Sequence, residues 1–229
     1  MSKNSYVAVP NTIITDPELY PSTKRVYVAM LAYKSRKDTL HKTVSQLAVR
    51  SHCSPSAVQQ AIAELTSRGL VQRSRRYRYS AVLKRKIYAS NTYTLAKRDF
   101  SAGYTLIPRS LLTRELTHAA FLVALYLYMT AGRKGRAYPS LQHIADALYL
   151  AKSTVCVAID ALRLLQELYR YHCRKENHAY SCNSYYPTGW VRNGSVLPET
   201  ALFLSVIIPE APSFVNMGRP SDFQQTTRY

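Results

Sequence analysis

Ser56, Gln59 and Gln60 stand early in the second half of an amphipathic stretch, residues 43–69, on the side away from the apolar positions Val58, Ala61, Ile62 and Leu65. Glutamine presents a paired donor and acceptor, the pattern that matches adenine in the major groove. Lys152, Ser153 and Thr154 open the second half of a similar stretch later in the chain, with Cys156 and Asp160 further along its outward side. Lysine reaches guanine and threonine meets a thymine methyl. A second kind of chemistry lies at 73–86, where Arg73, Arg75, Arg76, Arg78, Lys84, Arg85 and Lys86 put seven cations in fourteen residues, interleaved with Tyr77 and Tyr79. Such a run suits phosphate contact, and Arg174 and Lys175 offer a weaker version of it in a second hairpin.

Other chemistries find no support. Gly132-Arg-Lys-Gly135 lacks the Lys-Ser/Thr that follows in a phosphate-cradling loop, and the 6 histidines include no His-x-His or His-x3-His pair. His172, Cys173, His178 and Cys182 are close in sequence, but they straddle a hairpin and have no matching ligands elsewhere, so no zinc is expected. The 19 tyrosines lack accompanying Arg and His clusters and are better explained by packing than as nucleophiles. The chain is therefore expected to be no enzyme and to need no metal or cofactor.

The elements that must position these residues can be read from spacing. Val44, Leu47 and Ala48 share one helical face; Ser54 and Pro55 restart the chain, and Val58, Ala61, Ile62 and Leu65 give a second buried face. Ser54 is suited to cap that second helix, Pro55 to its first position and Gly69 to a left-handed stop. The same outward polar face occurs on any amphipathic helical hairpin, so the pair gains meaning from its surroundings. Upstream, 6–10 is β-prone, 11–20 reads as irregular, and Ser22 is suited to cap a helix to about residue 37 with Val26, Ala29, Met30 and Tyr33 on one face. Downstream, a strand at 70–79, a basic tip at 84–86 and a return strand near 90–95 form a hairpin. Alternation places Arg76 and Arg78 on one face of it, and Arg73 and Arg75 on the other with the tyrosines.

This pattern occurs twice. Residues 6–15 align without a gap on 104–113, and Val44, Leu47, Ala48, Val58, Ile62 and Leu65 recur 97 positions later as Leu141, Ile144, Ala145, Val155, Ile159 and Leu162. Asn91 and Tyr93 recur as Asn183 and Tyr185. Ser140 is suited to cap the first helix of the second pair; Ala151 replaces Ser54, leaving the second cap missing or supplied by Ser153. The sequence thus predicts a mainly α fold with small β-hairpins (α+β), two tandem winged-helix domains at 1–98 and 99–190, and a mostly irregular tail at 191–229.

Composition bounds the partner. Thirty-one Lys and Arg against 13 Asp and Glu give +18, and the first hundred residues, with 18 basic and 5 acidic side chains, hold +13 of it. That field points to nucleic acid or an anionic membrane surface. The longest apolar run, 119–129, is far shorter than the ~20 residues that span a bilayer, so no membrane partner is expected. The N-terminus lacks a secretory pattern and the four cysteines suggest no disulfide framework, both of which point to a cytoplasmic location.

Residues 140–168, SLQHIADALYLAKSTVCVAIDALRLLQEL, resemble the winged helix-turn-helix domains of bacterial DNA-binding proteins, as do residues 61–73, AIAELTSRGLVQR. The segments YVAVPNTII and YTLIPRSLL, each before an alanine- and tyrosine-rich helix, are similar to the start of plasmid replication initiators and related mobile-element proteins. The resemblance implies duplex DNA as partner and replication initiation as the use, with transcriptional regulation and a protein-binding adaptor as alternatives. One chain, with two recognition helices, is expected to suffice on DNA; other replication or transcription proteins are further candidate partners.

Overall fold

A computed structural model describes residues 6–174 and 180–188. Tyr6–Pro10 forms β1, Asn11–Thr15 the short helix α1 and Pro21–Tyr33 helix α2; Thr39–Lys42 is β2. Helices α3, Val44–Ser51, and α4, Pro55–Ser67, lead into the long strands β3, Val71–Ser80, and β4, Arg85–Leu95. The order then repeats: β5 (Tyr104–Pro108), α5 (Arg109–Leu112), α6 (His118–Ala131), α7 (Leu141–Leu148), α8 (Lys152–Leu164), β6 (Leu168–Arg174) and β7 (Tyr180–Pro187). The architecture is mixed α and β with small antiparallel sheets.

The register of the sheets carries the repeat. Leu40 pairs with Tyr93 in the β2–β4–β3 sheet, and the isolated bridge Ala137 to Tyr185 lies at the equivalent place. A third strand in the first copy is thus reduced to one bridge in the second. Strands β1 and β5 pair with each other, Tyr6 with Pro108 and Pro10 with Tyr104, so the central pair Ala8 and Leu106 joins residues 98 positions apart. Antiparallel pairing of equivalent residues is the mark of a local two-fold axis. Val7, Val9, Thr105 and Ile107 fill the buried face of this ribbon.

Helices α2 and α6 lie against each other and are buried on nearly every side, residues 23–32 in one and 120–128 in the other. Each also packs on its own helix pair, which is why an apolar face alone did not describe them. No helix among the described residues is long and apolar enough to cross a membrane.

Several local expectations need correction. Helix α2 starts at Pro21 after Tyr20, not at a Ser22 cap, because proline supplies a preset first turn; it ends at Tyr33, before a tight turn in which Asp38 has φ 56. Residues 11–15 are helical rather than irregular, held by Asn11, whose N–H donates to Gly103 O at 3.1 Å and whose Nδ2 donates to Ala102 O at 3.1 Å. Gly103 has φ +83, and a Cβ there would meet Asn11 Nδ2 at 2.9 Å. Strand β2 was not anticipated, and β4 begins at Arg85 rather than near Ser90, so the tip is 81–84 and Arg85 and Lys86 lie in the strand.

Helix α8 has Ala151 at its N-cap with no side-chain hydrogen bond, so Ser153 does not supply one. In α4, by contrast, Ser54 Oγ accepts from Ala57 N at 3.2 Å. Ala151→Ser is expected to stabilise the chain by about 1 kcal/mol, read as a shift of the urea midpoint at constant slope.

Candidate nucleic-acid interface

Each helix pair is built on the same turn. Thr43 and Gln46 form a reciprocal capping box at the start of α3, at 3.2 Å in both directions, and Ser140 Oγ accepts from His143 N at 3.0 Å at the start of α7. Both first helices end on a left-handed residue that is not glycine, His52 at φ 49 and Tyr149 at φ 55. The next amides close the turn: Cys53 N donates to Ala48 O at 3.1 Å and Leu150 N to Ala145 O at 3.0 Å. These six-to-one bonds satisfy helix-end carbonyls and fix the angle at which the second helix leaves. Gly69 and Gln166 repeat the arrangement after α4 and α8, with φ 68 and φ 56.

The second helices therefore present their first turns in a set direction. Val58, Ala61, Ile62 and Leu65 are buried, while Ser56, Gln59 and Gln60 are exposed; Ser54 Oγ lies 3.0 Å from Ser56 Oγ. In the second copy Val155, Ala158, Ile159 and Leu162 are buried, Lys152 and Ser153 are exposed, and Thr154 is half-buried. The copies differ beyond the first turn. Where α4 carries Gln60 and Ser67, α8 exposes Val157 (69%) and Leu164 (84%), and Asp160 beside them pairs with Arg163 at 3.3 Å.

Strand β3 keeps Arg73, Arg75, Arg76 and Arg78 exposed, as are Lys84, Arg85 and Lys86. Cross-strand partners share a face, so Arg73 opposite Tyr93, Arg75 opposite Asn91 and Tyr79 opposite Lys86 form one side, which Tyr77 also shares. Arg78 opposite Ile87 and Ser80 opposite Arg85 form the other. The register slips between Arg75 and Tyr77, the extra residue lying in β4, so Lys86 joins the Arg73 and Arg75 side while Arg85 lies opposite. Strand β2 reaches only as far as Asn91, and beyond that pair the hairpin is a ribbon of two strands.

The second hairpin pairs Leu168 with Pro187 and Arg170 with Tyr185, and Arg170 is half-buried. The side chain of Arg174, all of Lys175, the side chains of His172, Cys173 and Cys182, all of His178, and the 191–229 tail lie outside the described residues. Among the described residues no group of His, Cys, Asp and Glu is placed to hold a metal ion.

Sequence spacing did not reveal two buried cations beneath the helix pairs. Arg25, on α2, donates from Nη1 to Leu116 O and from Nη2 to Arg114 O at 3.1 Å, with its guanidinium 5.0 Å from the Phe121 ring centre. Arg114 Nε in turn donates to Glu167 at 2.6 Å. Lys24 Nζ donates to Ile14 O at 2.9 Å, and burial lowers its pKa to about 8 against an opposing pull from Asp16.

No known protein family matches the chain, and no curated protein matches it. Among solved structures it is similar to the Pi initiator protein crystallised in complex with iteron DNA, at 11% identity and a TM-score of 0.47, over 81% of this chain and 97% of that one.

Proposed function

We propose that the chain is a sequence-specific double-stranded DNA-binding protein with two winged helix-turn-helix domains, 1–98 and 99–190, acting in replication initiation or a related function of a plasmid or mobile element. It acts by binding rather than by catalysis. The observation that carries this reading is the exposed polar first turn of α4, held by a capped helix pair and followed directly by a hairpin with cations on both faces. Base contacts fall to Ser56, Gln59 and Gln60, and to Lys152, Ser153 and Thr154 in the second copy; phosphate contacts fall mainly to the first hairpin. The two-fold pairing of β1 with β5 supports one chain spanning two half-sites in inverted orientation.

Selection of bound sequences from a random duplex library tests the reading. Two half-sites recovered for one chain are expected; recovery of no motif would sink it. On the selected duplex, Gln59→Ala and Gln60→Ala are each expected to lose about 1–3 kcal/mol, with little change on random DNA. Equal loss on both would reassign these side chains to positioning on the backbone.

A second reading has its own observation. Val157 and Leu164 expose an apolar stripe on α8 where α4 is polar, as an adaptor that binds protein through its second copy requires. Selection that returns a single half-site read by α4 alone would favour it.

A further inference from the structure

The first hairpin ends in side chains that phosphate binding does not use. Past the Arg75 and Asn91 pair, β3 and β4 run on alone for five residues to Ser80, about 17 Å at ~3.3 Å per residue. Both faces of this ribbon carry exposed cations, but its tip is apolar: Val82 is 91% exposed and Leu83 54%. The tip is also shaped. Leu83 N donates to Ser80 Oγ at 3.3 Å, Lys84 takes the left-handed conformation at φ 46, and Ser80 pairs with Arg85 to close the turn.

We infer that Val82 and Leu83 form a wedge that enters the minor groove of the bound duplex, partly unstacks one base step and bends the DNA. The inference rests on the DNA-binding reading above. If α4 lies in the major groove, a ribbon of this length crosses the neighbouring backbone and reaches the next groove, which is the minor one. There phosphates flank the turn on two sides, and Arg78 and Arg85 on one face and Arg75 and Lys86 on the other meet both walls. Two aliphatic side chains match the size of the apolar wedges that kink DNA from the minor groove. An anionic membrane presents a single plane of charge, which cations on opposite faces of a ribbon fit poorly. It is also held by a wide apolar face rather than two side chains.

The test compares the full chain with its V82S/L83S variant, whose changes lie outside the core. The probes are two 30-base-pair duplexes with dyes at their ends, one continuous and one with two unpaired thymines at its centre. A preformed kink removes the unstacking cost, so the native chain is expected to bind the interrupted duplex about tenfold tighter and to raise energy transfer on the continuous one. The variant is expected to lose both effects while keeping its salt dependence, because the cations remain. Equal preference and equal energy transfer in the two proteins would overturn the wedge and leave DNA binding standing. Failure of the native chain to bind either duplex at low salt would overturn DNA binding and the wedge with it. Unchanged DNA behaviour together with loss of binding to phosphatidylserine vesicles in the variant would assign the tip to membranes and overturn the inference.

Discussion

Arg25→Ala is expected to destabilise the chain by about 3 kcal/mol and to loosen the two repeats from each other before either loses its helix pair. The side chain starts on α2 in the first repeat and ends on the carbonyls of Leu116 and Arg114 in the second. Two charge-assisted hydrogen bonds are lost, at about 1.5–3 kcal/mol each, along with the contact on the Phe121 face. Part of that loss is offset, since the guanidinium is almost wholly buried and keeping a cation there is itself unfavourable. Alanine also leaves two carbonyls facing a space that the guanidinium filled. Urea unfolding measures the total, and His118 gives a local readout. Burial first, and the nearby Arg25 charge second, lower the pKa of His118 below its ordinary value. Removing Arg25 should let that pKa rise, which proton NMR of the His118 ring would follow. A stability loss within 0.5 kcal/mol, typical of surface changes, would mean that Arg25 does not hold the repeats together.

What could be read from the sequence, and what could not, divides along local and long-range causes. The helix pairs were legible because Ser54, Pro55, Gly69 and the spacing of Val58, Ile62 and Leu65 act within a few residues of one another. The repeat was legible because the turn between the helices tolerates no insertion, so equivalent residues stay 97 apart. Strand β2 was not, because Thr39–Lys42 is short and mostly polar, and becomes a strand only by pairing with Asn91–Thr94 some fifty residues on. Helix α2 reads as one-sided, yet its Lys24 and Arg25 are buried, because α6 and β1 cover the side that its own helix pair leaves open. No periodicity within one repeat can report a wall supplied by the other. The exposure of Ser56, Gln59, Gln60, Lys152 and Ser153 was legible as what is left over once the buried face is assigned, whereas Thr154 is half-buried. The two-sided ribbon was only half legible, because the slip in β4 exchanges the faces on which Arg85 and Lys86 lie relative to Asn91 and Tyr93.

Raising the pH from 8 to 9.5 is expected to stabilise the chain by up to about 2 kcal/mol through Lys24 alone. Its ammonium is nearly excluded from water and has the Ile14 carbonyl as its hydrogen-bond partner; Asp16, whose attraction partly opposes the effect of burial, is itself paired with Arg68 at 3.2 Å. Burial therefore lowers the folded pKa to about 8 from 10.5. Between those values the unfolded chain binds more protons than the folded one, so stability rises with pH, and below 8, where both forms are charged, the contribution levels off. The buried Tyr27 works in the opposite sense at higher pH. Its pKa is raised by burial, so ionisation of the unfolded tyrosine near 10 begins to favour unfolding, and the measurement belongs below that. Lys24→Met keeps the length of the side chain and removes the titration. Urea unfolding of both proteins at pH 6, 6.5, 7, 8, 9 and 9.5 separates this group from the thiols, which both proteins share. The native chain should gain stability across the upper range relative to the variant, and the two curves should run parallel below pH 7.5. Parallel curves throughout would show that Lys24 reaches water in the folded state, and the Ile14 carbonyl would then need another donor.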